Sequence, residues 1–219
     1  MFLVFARLIG VMMEAAEPVL WAFFFGVIAV SVLQIGAARP PRYLAAYGAL
    51  GVLAGLLFLS LPSVDMSGSM FALFIAGMVA VSAWILPGIS GSFVLLLLGL
   101  YDDVILAVNQ LDWTFLLVLA GGCGSGLLLF TRALGWLLMR FEDALLAFLT
   151  GFMATALIKL WPWQIVASQS APDAYGVFHT LQSPQQYAAA GNEAYLGLSL
   201  MAALLGGAGI WLLSKLSPQ

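Results

Sequence analysis

Residues 70–100 read MFALFIAGMVAVSAWILPGISGSFVLLLLGL, and the hexapeptide Pro87-Gly88-Ile89-Ser90-Gly91-Ser92 within them decides the fold. It interrupts the most apolar stretch of the chain. Proline has no amide hydrogen and glycine admits positive φ, so the backbone is expected to leave the helix here. Non-helical backbone at membrane depth is tolerated only inside protein or along a wet cavity, so the motif should face the interior of a bundle. It offers amides at a half-helix end and the hydroxyls of Ser90 and Ser92, a set that suits an anion such as phosphate. A structural kink accounts for the six residues equally well.

The surrounding composition sets the class. Of 219 residues, 63% are hydrophobic and 8% charged, with mean hydropathy +1.09, which marks an integral membrane protein. Apolar segments of about 17 to 22 residues span a hydrocarbon core of about 30 Å as helices, and the absence of strict alternation argues against a β-barrel. The expected fold class is therefore all-α. Cys123 is the only cysteine, so neither an internal disulfide nor a thiol metal site can be built. The net charge of −3, without a basic patch, argues against a nucleic-acid partner.

Apolar segments fall at 2–13, 19–37, 44–61, 70–100, 113–139, 144–161 and 194–214. Arg39, Arg42, Arg140 and Lys215 follow segment ends that the positive-inside rule places on the cytoplasmic side. The polar loop 162–193, Glu14, Glu17, Asp65 and a turn at Tyr101-Asp102-Asp103 then lie outside. For 44–61 to run outward and 113–139 inward, segment 70–100 must enter and leave by one face. The hexapeptide thus becomes the tip of a re-entrant hairpin, because Phe93 to Leu100 is too short to span. Gly122 and Gly126, four apart, are expected to let two helix backbones approach rather than to hold a ligand.

Residues 5–29 (FARLIGVMMEAAEPVLWAFFFGVIA) align without gaps to 130–154 (FTRALGWLLMRFEDALLAFLTGFMA) at an offset of 125, with nine of twenty-five positions identical. The identities include Arg7/Arg132, Glu17/Glu142, Phe23/Phe148 and Gly26/Gly151, which apolar composition alone would not readily match. The chain is a duplication. With 19–37 running inward and 144–161 outward the copies are inverted, each unit being a re-entrant hairpin plus about three transmembrane helices. Residues 1–62 then form an incomplete first repeat and 63–219 the second. The motif's first-repeat counterpart would fall before Met1, so the first hairpin is expected to be missing from the front of this sequence.

Segment 77–101, GMVAVSAWILPGISGSFVLLLLGLY, together with 130–154, resembles the bacterial polyprenyl-phosphate transporter family, and the resemblance covers essentially the whole chain. Members of that family have two inverted halves, each with a Pro-Gly-x-Ser-Gly hairpin, whereas this chain carries only the second motif. The resemblance implies return of undecaprenyl phosphate across the bacterial cytoplasmic membrane for reuse in cell-envelope synthesis. The implied partners are the polyprenyl-phosphate lipid and the bilayer; a homo-oligomer is compatible with the sequence, which leaves the oligomeric state open.

The candidate substrate-binding residues are Pro87, Gly88, Ser90, Gly91 and Ser92, with Arg132 and Arg7 as the cationic pair. An arginine fork can hold phosphate oxygens bidentately where an isolated charge would be costly. Alternatively both arginines snorkel to headgroups or pair with Glu17 and Glu142. No cofactor is expected, although Glu142, Asp143, Asp102 and Asp103 could serve a coupling proton or cation; solvated surface acids are the favoured reading. Lys159 reads as an interface anchor and His179 as a solvated loop residue. A phosphatase with a histidine nucleophile needs two histidines, and the scattered carboxylates do not suit a metal enzyme, so the chain is expected not to be an enzyme. Ion-coupled transport of another anion and a non-transporting assembly subunit stand as alternatives.

Overall fold

The computed structural model describes residues 2–61, 64, 66, 68–86, 90–166 and 179–216. Pro87 and Gly88 lie outside the described residues, as does the side chain of His179. The described chain is helical apart from one short ladder: α1 (Phe2–Ala37), α2 (Pro41–Leu59), α3 (Met70–Ile85), α4 (Gly91–Leu97), α5 (Tyr101–Gln110), α6 (Trp113–Lys159), β1 (Gln164–Val166), β2 (His179–Leu181), α7 (Pro184–Ala189) and α8 (Leu196–Leu216). Among the described residues, α1 from Ala16 onward, α2, α6 and α8 are each long and apolar enough to cross a membrane.

Two long helices absorb four of the segments read from hydropathy. Helix α1 passes through one non-helical residue, Ala16 (φ −156°, ψ 57°), and α6 through Phe141 (φ −139°, ψ 42°). Pro18 accounts for the first break, since it cannot donate to the preceding turn and fits only the start of a new helix. At the second break Glu142 and Asp143 open the new helix, where its N-terminal dipole favours acids. The breaks lie 125 residues apart, which is the offset of the sequence repeat.

Small residues decide how the helices pack. A Cβ on Gly26 would run into the Ala203 carbonyl, and one on Gly206 into that of Phe23, which seats α1 on α8. Likewise a Cβ on Gly151 would meet the Gly48 carbonyl, and one on Gly51 that of Phe148, which seats α6 on α2. Gly26/Gly151 and Phe23/Phe148 are repeat pairs, so one backbone-to-backbone seat occurs twice. Between lipid-solvated helices such close approach replaces the hydrophobic drive of a soluble core.

The second halves of α1 and α6 also touch each other. Phe25 meets Trp161 edge to face at 5.7 Å, Gly36 lies against the Thr150 methyl, and Arg39 Nη1 donates to Asp143 Oδ1 at 3.0 Å. Ascending one segment descends the other, so they are antiparallel. Adding 125 to Phe25 and Gly36 gives Thr150 and Trp161, so the first two contacts exchange with each other under the offset.

Arg39, Arg42, Arg140 and Lys215 gather at one end, as the charge pattern predicts. Arg39 bridges to Glu142 at 3.5 Å as well as to Asp143, and Gln34 Nε2 donates to Ser214 Oγ at 3.1 Å, beside Lys215. At the other end the stretch read as a plain polar loop has structure of its own. Strands β1 and β2 pair antiparallel with Ile165 opposite Thr180, and Ser183 and Gln186 form a capping box on α7. Strands of three residues are too short to leave a readable alternation. The Tyr101-Asp102-Asp103 turn is instead the first turn of α5, with both acids at its N-terminus.

Candidate functional site

Helices α3 and α4 form a closed hairpin. The Ser69 hydroxyl caps α3 by accepting from the Ala72 amide at 3.3 Å. The amides of Val64 and Met66 donate to the carbonyls of Leu97 and Leu98 at 2.8 and 3.1 Å, so the segment entering α3 and the end of α4 are joined. Between the limbs Val94 is buried against Ala80 and Ala83, and Leu73, Ala76 and Leu100 form a second buried cluster. Gly99, at φ +69°, then turns the chain, and α5 departs from α4 at 107°.

At the start of α4, Ser90 Oγ lies 2.7 Å from Ser92 Oγ. One hydroxyl donates to the other, which leaves one hydroxyl proton for an external acceptor. Both serines are exposed. Gly91 has a packing role: a Cβ there would stand 2.7 Å from the Ala80 carbonyl oxygen and force the limbs apart.

The next residue brings in the cation that sequence reasoning set aside. Lys159, in the last turn of α6, places Nζ 5.8 Å from the Phe93 ring centroid, and Phe58 of α2 meets the same ring at 5.9 Å. Lys159 therefore stands against the limb that carries Ser90 and Ser92. In sequence a lysine closing an apolar span is indistinguishable from an interface anchor, because the partner helix is unknown.

Arg132 lies on the helix that packs along α3. Gly122 packs on the Phe74 backbone and Gly126 on that of Met78, so α6 and α3 run parallel with a constant difference of 48. Continued, that register sets Arg132 level with Trp84, in the last turn of α3. Both side chains are exposed. Arg7 is exposed on the first half of α1, whose neighbouring side chains lie outside the described residues. Glu142 pairs with Arg39, and Glu17 accepts from Trp21 Nε1 at 3.0 Å, so neither repeats the proposed pairing with Arg132 or Arg7 among the described residues.

Residues 1–175 match a family described as undecaprenyl phosphate translocase-like. The chain belongs to that family. A Vibrio cholerae protein named polyprenyl-phosphate transporter is 39% identical over 163 residues, which cover 73% of this chain and 52% of that one. A Staphylococcus aureus protein of the same name is 33% identical over 95 residues, covering 41% of this chain and 34% of its own length. The chain thus spans about half the length of the Vibrio relative and about a third of the other. No solved structure matches it. Family membership and the apolar helices identify a multi-pass protein of the bacterial inner membrane.

Proposed function

We propose that this chain takes part in translocating polyprenyl phosphate, of the undecaprenyl type, across the bacterial cytoplasmic membrane. The observation that carries the reading is the hairpin of α3 and α4, whose second limb presents the Ser90–Ser92 pair beside Lys159. The free hydroxyl proton and the amides of Gly91 and Ser92, in the first turn of α4, donate to phosphate oxygens. Lys159 and Arg132 offset the head's charge where water is excluded, and the polyprenyl tail stays in lipid. Nothing in this reading requires a covalent step, and it assigns the chain no catalysis and no cofactor.

The architecture proposed for this task is a pair of inverted repeats, 1–62 and 63–219. Equal offsets of the helix breaks, the glycine seats and the antiparallel contacts of α1 with α6 support it. An inverted pair offers equivalent surfaces to the two leaflets, which is what moving a lipid head between them requires. Glu142 and Asp143, tied to Arg39, hold charge at the cytoplasmic end, where a coupling proton or cation would act.

The reading is tested by binding of a radiolabelled polyprenyl phosphate to the protein in nanodiscs. Lys159→Gln and the Ser90→Ala/Ser92→Ala pair should each weaken binding; removing a charged contact worth about 1.5–3 kcal/mol corresponds to roughly 10- to 150-fold. Wild-type affinity in both folded variants would remove the hairpin from the site.

A further inference from the structure

One groove in the bundle takes no part in the hairpin site. Its volume is about 540 Å³, it is open along one side, and Leu33, Gly36, Leu44, Gly48, Thr150 and Gly151 line it between α1, α2 and α6. Residues Leu44–Gly48 of its wall are π-helical, a widened turn that often marks a functional position.

The offset of 125 explains why this space is empty. In the other half the equivalents of Gly36 and Thr150 are Trp161 and Phe25, whose rings meet at 5.7 Å. Two aromatic rings occupy one side of the pseudo-symmetric bundle; a hydrogen and a threonine stand on the other. The helix seats are shared, so the groove comes from side-chain choice and not from a different fold.

A charge stands beside it. Arg39 lies on the turn between α1 and α2, three residues past Gly36, and its amide donates to the Gly36 carbonyl at 3.0 Å. Asp143 and Glu142 hold its Nη1, while its Nε is buried and has no acceptor among the described residues. A buried donor without an acceptor is costly, and an arriving anionic oxygen would relieve that cost.

We propose that the groove seats a stretch of the apolar chain of a phosphate-headed lipid whose head accepts from Arg39. The identity of the chain as polyprenyl rests on the reading above; the chemistry of the head does not. Charge complementarity selects the occupant: Glu142 and Asp143 balance only two of the four positive charges at this end, those of Arg39, Arg42, Arg140 and Lys215, so an anionic head answers the Nε donor and the charge left over, and an apolar tail answers the groove. A water-soluble anion would leave the groove unused, and a neutral lipid would leave Nε unpaired.

The test is binding of radiolabelled decaprenyl phosphate to the full chain in phosphatidylcholine nanodiscs, with decaprenol, dioleoyl phosphatidic acid and inorganic phosphate as competitors. Gly36→Trp copies the filled half, and Ala45→Phe fills the groove from its exposed rim, where folding is less at stake. Both, and Arg39→Gln, should weaken binding about tenfold or more. Decaprenol and inorganic phosphate should compete poorly. Wild-type binding in both groove variants, or inorganic phosphate competing as well as the lipid, overturns the proposal. Loss confined to Lys159→Gln also overturns it and leaves the hairpin reading in place. Phosphatidic acid binding as tightly as decaprenyl phosphate, with the same groove dependence, supports the groove and counts against the polyprenyl reading alone.

Discussion

Adding one methyl group at Gly26 or at Gly151 should unseat a helix pair, and by nearly the same free energy at both positions. At Gly151 the new Cβ would stand 2.7 Å from the Gly48 carbonyl carbon and 2.9 Å from its Cα; at Gly26 the distances to the same atoms of Ala203 are 2.7 and 2.8 Å. Carbon pairs settle at about 3.5–4.0 Å, so each helix pair must part by roughly 1 Å along its seat. Overpacking of this kind costs about 1–3 kcal/mol, and alanine's better helix propensity returns up to about 1 kcal/mol. The expected net loss is about 0–2 kcal/mol for each alanine, against a gain of up to about 1 kcal/mol where no clash opposes it. Gly26 faces α8 and Gly151 faces α2, so the double variant should lose the sum to within about 0.5 kcal/mol. Gly124 and Gly135 have nothing within 4 Å of an added Cβ, and their alanine variants should be neutral or slightly stabilised. Unfolding in bicelles, followed by steric trapping, measures all four. The reasoning fails if Gly26→Ala is as stable as Gly124→Ala, or if the two paired variants differ by more than about 1 kcal/mol.

Other expectations concern the ends of the bundle. Trp161 packs on Phe25 and Trp163 and donates from Nε1 to the Gln182 carbonyl at 2.8 Å, so Trp161→Ala should cost about 3–5 kcal/mol and expose 162–193 to faster proteolysis. Arg39→Asp should destabilise by about 0.5–1 kcal/mol, given its half-exposed partners, and adding Asp143→Arg should recover part of that; no recovery in the same unfolding assay would deny the pair any worth. Burial, and to a lesser degree the Glu17 carboxylate, holds the Tyr187 phenol above its ordinary value. Its contribution to stability is therefore complete below pH about 10 and lost as pH rises through the raised value, and Glu17→Gln should bring the phenol's ultraviolet titration to lower pH.

How much of this was legible beforehand differs residue by residue. Pro18 and the Pro87-Gly88 pair carry their consequences in their own covalent structure, a missing donor and a permissive φ, so breaks near them can be read without any partner. The match of Arg7, Glu17 and Gly26 to Arg132, Glu142 and Gly151 likewise needs only the chain itself. Hydropathy delimits spans because lipid demands about twenty apolar residues in a row. It could not show that the segments on either side of Ala16, or of Phe141, join through a single residue, since one off-helix φ/ψ pair has no compositional mark.

Pairing between distant residues is another matter. Glu142 could have served Arg132 on its own helix, and instead Arg39 takes it, because the antiparallel seating of α1 on α6 brings the turn at 38–40 to the start of the second half of α6. Lys159 reads as an anchor from sequence, and only folding shows that the Phe93 ring lies beside its ammonium. The groove beside Gly36 exists only where its repeat mate, Trp161, is absent, which a linear sequence displays and does not interpret. The chain by itself marked the apolar spans and the break in segment 70–100, since each follows from local backbone chemistry or from transfer into lipid, and it displayed the match of 5–29 to 130–154. Tertiary structure alone decided which cations meet the hairpin and where space is left, because helix partners in a membrane are chosen by the close approach of small residues from remote parts of the chain.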